Sequence, residues 1–266
     1  MFTYPEIDPV AFSLGPLKVH WYGLMYLAGI VGGWYILARR AGRADTPLAR
    51  AQIDDLVFYA ACGVILGGRV GYCLFYGFDQ LLANPLWLFY VWEGGMSFHG
   101  GFIGVCVSMW MYGRKTATTP IDLLDFIAPV VPIGLGAGRI GNFIGAELVG
   151  RVTQMPWGVH FPGDPEGVFR HPSQLYQAGL EGLAMFVLLM WFSAKPRPRY
   201  AVSGMFALLY GCFRFSVEFV RQPDSGIAIL FGWMTRGQLL SIPLIALGLG
   251  LLYLAYRAPV KAEDLQ

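Results

Sequence analysis

Charge is scarce in this chain. Asp, Glu, Lys and Arg make up 14% of 266 residues, against about 25% in a soluble domain. Hydrophobic residues make up 56%, and mean hydropathy is +0.52. This balance excludes an ordinary soluble globular class, and a net charge of +2 is too small for a nucleic-acid-binding surface. Cysteine is scarce too. Cys62, Cys73, Cys106 and Cys212 fall in apolar runs without paired or metal-ligand spacing, so they read as small buried hydrophobes. No soluble domain, low-complexity tract or internal repeat divides the chain, and 1–266 reads as one transmembrane domain. The first 17 residues lack a basic n-region and the first apolar run has full membrane length, so no cleavable leader is expected.

What the chain has instead is a series of apolar runs near the roughly 20 residues that cross a bilayer as helix. Seven spans are expected: about His20–Ala38, Asp54–Tyr76, Gly94–Gly113, Ile121–Gly145, Ser173–Ser193, Tyr200–Val220 and Gln238–Tyr256. The fold class is therefore all-α, a polytopic membrane helical bundle. The run Leu86–Trp92 is too short to cross and reads as an interfacial or re-entrant piece. The longest external stretch, 146–172, contains Pro156, Pro162, Gly163 and Pro165. It reads as a small turn-rich insert.

The basic residues orient the spans. Arg39, Arg40, Arg43, Arg50, Arg114, Lys115, Lys195, Arg197, Arg199, Arg257 and Lys261 fall on one side, and only Lys18, Arg151, Arg170, Arg221 and Arg236 on the other. The positive-inside rule then places the N-terminus outside and the C-terminus in the cytoplasm.

Arg69, Arg139 and Arg214 remain inside spans, where a charge costs roughly 2.5–3.5 kcal/mol even on the lenient insertion scale. With that orientation, Arg69, His99, Arg139 and Arg214 lie roughly 7–11 Å below the outer interface. Tyr22 lies at the outer start of the first span. Polar groups from five helices thus share one layer, as a site for a phospholipid headgroup requires. Arg139, Asn142 and Ala146 follow i, i+3, i+7 spacing and share a face, with Glu147 at the helix exit. Gly63, Gly67 and Gly71, like Gly134, Gly138, Gly141 and Gly145, have the spacing of ordinary close helix packing. Arg214 and Glu218, four apart, allow an intrahelical ion pair, and a paired Arg keeps donors for a phosphate. Arg69 has no partner visible in sequence and reads as structural. His99 is open to a packing or a catalytic role. His171 is open to substrate binding or to capping the fifth span through Ser173.

Five blocks carry a resemblance: His20-Trp-Tyr-Gly-Leu-Met-Tyr26, His99-Gly-Gly101, Gly138-Arg-Ile-Gly-Asn-Phe-Ile-Gly-Ala-Glu-Leu-Val-Gly150, Arg170-His-Pro-Ser-Gln-Leu-Tyr176 and Arg214-Phe-Ser-Val-Glu-Phe-Val-Arg-Gln-Pro-Asp224. In this order the chain resembles the bacterial prolipoprotein diacylglyceryl transferase family from the first span to the sixth. One letter departs, since that family usually has Asn where this chain has Gly145. The resemblance implies a cytoplasmic-membrane enzyme acting on phosphatidylglycerol and the lipobox cysteine of a prolipoprotein, with no metal or organic cofactor. It also implies that Tyr22, His99, Arg139, Asn142, Glu147 and Arg214 matter for activity.

Physical chemistry suggests roles for these residues. His99 is the candidate general base for the thiol. Arg139 is the candidate bidentate phosphate clamp, with Arg214 as second contact or gate. Asn142 and Glu147 suit the headgroup hydroxyls, and Tyr22 and Glu218 complete the expected lipid-binding set. The alternatives are a membrane transporter or a passive lipid-binding scaffold. Against the transporter, no chain of acids crosses the membrane and no inverted repeat is apparent.

Overall fold

The computed structural model describes residues 1–15, 17–43, 46–90, 94–223 and 234–257. Lys261 and the C-terminus, Asp224, and the Val91–Trp92 end of the short aromatic run lie outside the described residues. The chain divides into two compact units, Met1–Tyr35 with Ala128–Gln266, and Ile36–Ile127. Helices dominate both.

In the unit Ile36–Ile127, α2 (Ile53–Phe75) and α4 (Phe98–Thr116) meet along glycines. A Cβ on Gly67 would lie 2.4 Å from the Gly100 carbonyl oxygen, and one on Gly71 2.7 Å from the Gly100 Cα. In lipid no hydrophobic force drives helices together, so close packing of this kind is what holds the pair. Between them lie the short α3 (Phe78–Ala83) and a 3₁₀ turn, Pro85–Phe89, too short to cross. Arg69 locks this connection to α2. It is 2% exposed, donates to the carbonyls of Trp87 at 2.7 Å, Leu88 at 3.1 Å and Gly94, and lies 4.7 Å over the Trp87 ring. The buried guanidinium is thus satisfied by backbone, as a structural role requires.

The other unit holds most of α1 (Trp21–Arg40), then α6 (Val131–Ile144), α7 (Ser173–Phe192), α8 (Ala201–Val217) and α9 (Arg236–Arg257). Met185 and Leu189 of α7 pack with Val202 and Tyr210 of α8 in its core. Glycines again set the closest approaches: Gly29 of α1 against Gly134 of α6, and Gly136 of α6 against Gly182 of α7. Large apolar side chains such as Phe75, Leu183 and Trp191 are exposed, as a bilayer solvent allows.

Among the described residues, four helices are long and apolar enough to cross a membrane, or five if a broken pair counts as one. The broken pair stands where one continuous helix was expected over Ile121–Gly145. It consists of α5 (Pro120–Ile127) and α6, with residues 128–130 outside both. Pro132 sits in the first turn of α6, where its missing N–H costs nothing, but a continuous helix through it would lose a hydrogen bond and clash. The helix α8, at 17 residues, is apolar but short.

The segments outside the long helices hold more β-structure than the sequence suggests. β1 (Phe2–Thr3) pairs in parallel with β4 (Val159–His160), and β2 (Val10–Leu14) pairs antiparallel with β3 (Leu17–His20) just before α1. Tyr4, buried against Phe143 and Phe161, donates its hydroxyl to the carbonyls of Phe143 at 3.0 Å and Ile144 at 2.7 Å. It thereby adds a donor at the end of α6, where intrahelical N–H groups run out. The cysteine expectation needs correction as well. All four are free, but only Cys73 is buried and Cys212 is exposed; in a bilayer an apolar thiol has no need of a protein core.

Candidate functional site

The segment that carries Arg139, Asn142 and Glu147 is the last part of α6 and the turn after it. The helix stops at Ile144 and the Gly145 N–H still reaches the Gly141 carbonyl. Ala146 and Leu148 then take left-handed φ values of 51° and 55°, which cost roughly 1–2 kcal/mol each in a non-glycine residue. Ala146 therefore leaves the helical face that it was expected to share with Arg139 and Asn142. The reversal folds Glu147 back over the helix end. Its N–H donates to the Asn142 carbonyl at 2.9 Å, and the Asn142 amide reaches its carboxylate at 3.5 Å.

Tertiary contacts hold this strained turn. Gln174 Nε2 donates to the Glu147 carbonyl at 2.5 Å, and Ser173 Oγ to the Leu148 carbonyl at 2.8 Å. Ser173 is thus committed to the turn and does not cap α7, correcting that expectation. Gly150 donates to the His171 carbonyl at 3.0 Å, and Arg151 N–H to the Val220 carbonyl at 2.8 Å. A Cβ on Gly150 would lie 2.4 Å from the His171 carbonyl oxygen, so only glycine fits. Gly145 differs: a Cβ there would meet its nearest atoms at 3.5 Å and 3.6 Å, including the Glu147 side chain. The departing letter occupies a position with room for a side chain.

The arginines of the site are paired with buried acids. Arg139, with 20% of its side chain exposed, places Nη2 3.5 Å from Oε2 of Glu181, which is wholly buried. Tyr210 hydrogen-bonds the same guanidinium, and Arg214 lies within electrostatic reach of both Tyr210 and Glu181. Arg214 Nη1 lies 2.7 Å from Glu218 Oε2, confirming the i, i+4 pair, and Arg221 Nη1 lies 3.8 Å from the same oxygen. Among the described residues the 2.7 Å pair lacks hydrogen-bond alignment, so it acts as a contact of charges. Glu218 also sits against the start of α9, where a Cβ on Gly237 would come within 2.6 Å of its carboxylate. Thr235 and Gln238 cap that helix reciprocally at 3.0 Å and 3.2 Å, and its positive N-terminal end favours the nearby carboxylate.

Tyr22, in the first turn of α1, packs against α6: a Cβ on Gly141 would lie 2.9 Å from its ring. Its hydroxyl meets that of Tyr26 at 3.2 Å, and Tyr26 packs over Gly138. One unit therefore brings Tyr22, Arg139, Asn142, Glu147, Arg214 and Glu218 to the ends of α1, α6 and α8. His99 belongs to the other unit, exposed in the first turn of α4 beside the N-cap Ser97. His171 shares the first unit and meets Tyr176 Oη at 3.1 Å. Burial pushes its imidazole below the usual histidine range, because the charged form loses its hydration. An apolar cleft of about 780 Å³ adjoins this corner, lined by Phe2, Phe143, Trp157, Leu175 and Tyr176 among others.

Sequence reasoning missed Glu181, Gln174, Gln177 and Tyr210. All four are buried in the same unit. A signal existed: Gln174, Gln177 and Glu181 recur at i, i+3, i+7 within an otherwise apolar span, marking a polar stripe toward the bundle interior.

The family model for prolipoprotein diacylglyceryl transferase matches residues 9–254 of the chain. The chain belongs to this family. It is 58% identical to a phosphatidylglycerol–prolipoprotein diacylglyceryl transferase of Teredinibacter turnerae, over 99% of this chain and 96% of the relative. It is also 58% identical to the protein of that name from Pseudomonas fluorescens and 59% identical to the one from Pseudomonas entomophila, in both cases over 99% of each chain. Within this diacylglyceryl transferase family member, the strained turn after α6 and the acid-paired arginines form the candidate site.

Proposed function

We propose that this protein transfers the diacylglyceryl group of phosphatidylglycerol to the lipobox cysteine of prolipoproteins, the first step of bacterial lipoprotein maturation. The sulfur–carbon bond of a thioether forms as the carbon–oxygen bond to phosphate breaks, and glycerol phosphate leaves. The observation that carries this reading is the polar cluster of Arg139, Glu181, Arg214 and Glu218 inside an apolar bundle, in a chain matched to the family almost end to end. The protein works as a seven-span enzyme of the bacterial inner membrane, N-terminus outside, with its site toward the outer leaflet. The positive-inside distribution of basic residues supports that orientation.

The departing phosphate ester gathers negative charge, so guanidiniums aimed at it stabilise the transition state more than the bound lipid. Arg139 is the principal phosphate contact and Arg214 the second. Asn142 and Glu147, held together at the end of α6, bind the headgroup hydroxyls. Tyr22 and Glu218 hold the walls of the site in place. The thiol, with an ordinary pKa of about 8.5, must lose its proton to become the nucleophile. Nearby arginines ease that loss by stabilising the thiolate. His99 is the proposed acceptor.

The test mixes purified protein with labelled phosphatidylglycerol and a lipobox peptide with or without its cysteine. Cysteine-dependent release of glycerol phosphate is the expected result. Lipid binding without release, where a control enzyme turns over, refutes the transferase reading and leaves a scaffold or a transporter.

A further inference from the structure

We infer that Glu181 is a positioning residue that aims the Arg139 guanidinium for the leaving phosphate, an inference that rests on the transferase reading above. Three observations converge on it. Glu181 is wholly buried, 0% exposed, on an apolar span. A lone carboxylate there is expensive and needs a cationic partner. Its partner is Arg139, and the contact is long, 3.5 Å from Nη2 to Oε2, with both Glu181 oxygens outside hydrogen-bond geometry among the described residues. The acid holds the guanidinium through a long contact in which charge dominates.

The backbone is shaped to make this approach. Residues Ala178–Ala184 of α7 form a π-helical turn, a widening that recurs at functional positions in helices. Gly182, next to Glu181, and Gly136, one turn before Arg139, allow the two helices to touch: a Cβ on Gly182 would lie 2.7 Å from the Gly136 Cα. That contact places the acid beside the arginine across 42 residues of sequence, and it also keeps Arg214 within electrostatic reach. When the anionic phosphate enters, Arg139 exchanges a diffuse charge contact for directed hydrogen bonds, while Glu181 limits where its planar head can swing. Misaiming such a group by about 1 Å can cost up to about a hundredfold in rate.

The test is Glu181→Gln, which keeps the volume and removes the charge, with Glu181→Asp as the charge-retaining variant. Steady-state transfer is measured against phosphatidylglycerol concentration, and melting temperature is read on the same preparations. In Glu181→Gln, kcat is expected to fall about tenfold or more while KM for the lipid stays level or falls, because the anionic substrate meets one more uncompensated positive charge. Glu181→Asp is expected to recover part of kcat. A kcat within twofold of wild type, or a fall in kcat with a raised KM and no recovery in Asp, overturns the inference. Should Glu181→Gln not fold, Glu181→Asp alone decides: kcat lowered with KM unchanged supports positioning, and any other pattern overturns it. Wild type runs alongside, so absence of cysteine-dependent release there would instead sink the transferase reading.

Discussion

Two glycines five residues apart in one signature should respond oppositely to the same substitution. In Gly150→Ala the new methyl would lie 2.4 Å from the His171 carbonyl oxygen and 2.8 Å from the Val220 carbonyl oxygen. Ordinary carbon–oxygen contacts begin near 3.3 Å, so two backbone strands must part by about 0.5–0.9 Å. The hydrogen bonds at stake are Gly150 to His171 and Arg151 to Val220, at 3.0 Å and 2.8 Å. Overpacking costs about 1–3 kcal/mol and two weakened hydrogen bonds about 1 kcal/mol each. A loss near 3 kcal/mol should lower the melting temperature by about 6–12 °C. The same displacement moves the turn that carries Glu147, so transfer activity should fall further than stability at the assay temperature explains. Gly145→Ala is the control, since its methyl meets ordinary contacts at 3.5 Å and beyond, and it should melt within about 2 °C of wild type. Differential scanning fluorimetry in detergent and the glycerol phosphate release assay read both outcomes. Gly150→Ala melting with wild type at full activity, or Gly145→Ala failing as badly, would refute the steric reasoning.

Three further outcomes are expected. Arg139→Lys should lose at least about tenfold in kcat, because an ammonium replaces a planar fork that binds phosphate through two parallel hydrogen bonds; near-normal turnover would reduce Arg139 to a simple charge. His99→Gln should abolish peptide transfer while leaving lipid binding intact, and full activity in that variant would remove the base assignment. His171, whose imidazole is held below the usual range by burial, stays neutral in the fold while the unfolded chain protonates first. Stability from this residue is therefore complete above about pH 6.5 and declines as pH falls through that value toward the folded pKa. His171→Gln should flatten the fall in melting temperature between about pH 7 and pH 5, and an unchanged slope would assign the pH dependence elsewhere.

Membrane character and the helical class were legible in composition and in the length of the apolar runs, because both follow from the bilayer's thickness. The Arg214–Glu218 pair was legible for a related reason: four residues on a helix bring two side chains together whatever surrounds them. The Gly63, Gly67 and Gly71 seam was likewise local in its spacing and found its partner glycines in α4. Pro129 and Pro132 lie inside the apolar run Ile121–Gly145, and the break before α6 shows that backbone chemistry decides there over apolarity.

What the sequence could not supply were pairings set by where two helices cross. Arg139 meets Glu181 because Gly136 and Gly182 let their backbones touch, and neither glycine is distinguishable from ordinary packing material until its partner is known. Gly150 is obligatory only because the chain from His171 and the chain from Val220 converge on it. The sequence by itself determined which residues are too expensive to be incidental in a bilayer. The tertiary structure decided that Glu181 is the acid that compensates Arg139, since Coulomb attraction depends on distance in space and is indifferent to distance along the chain.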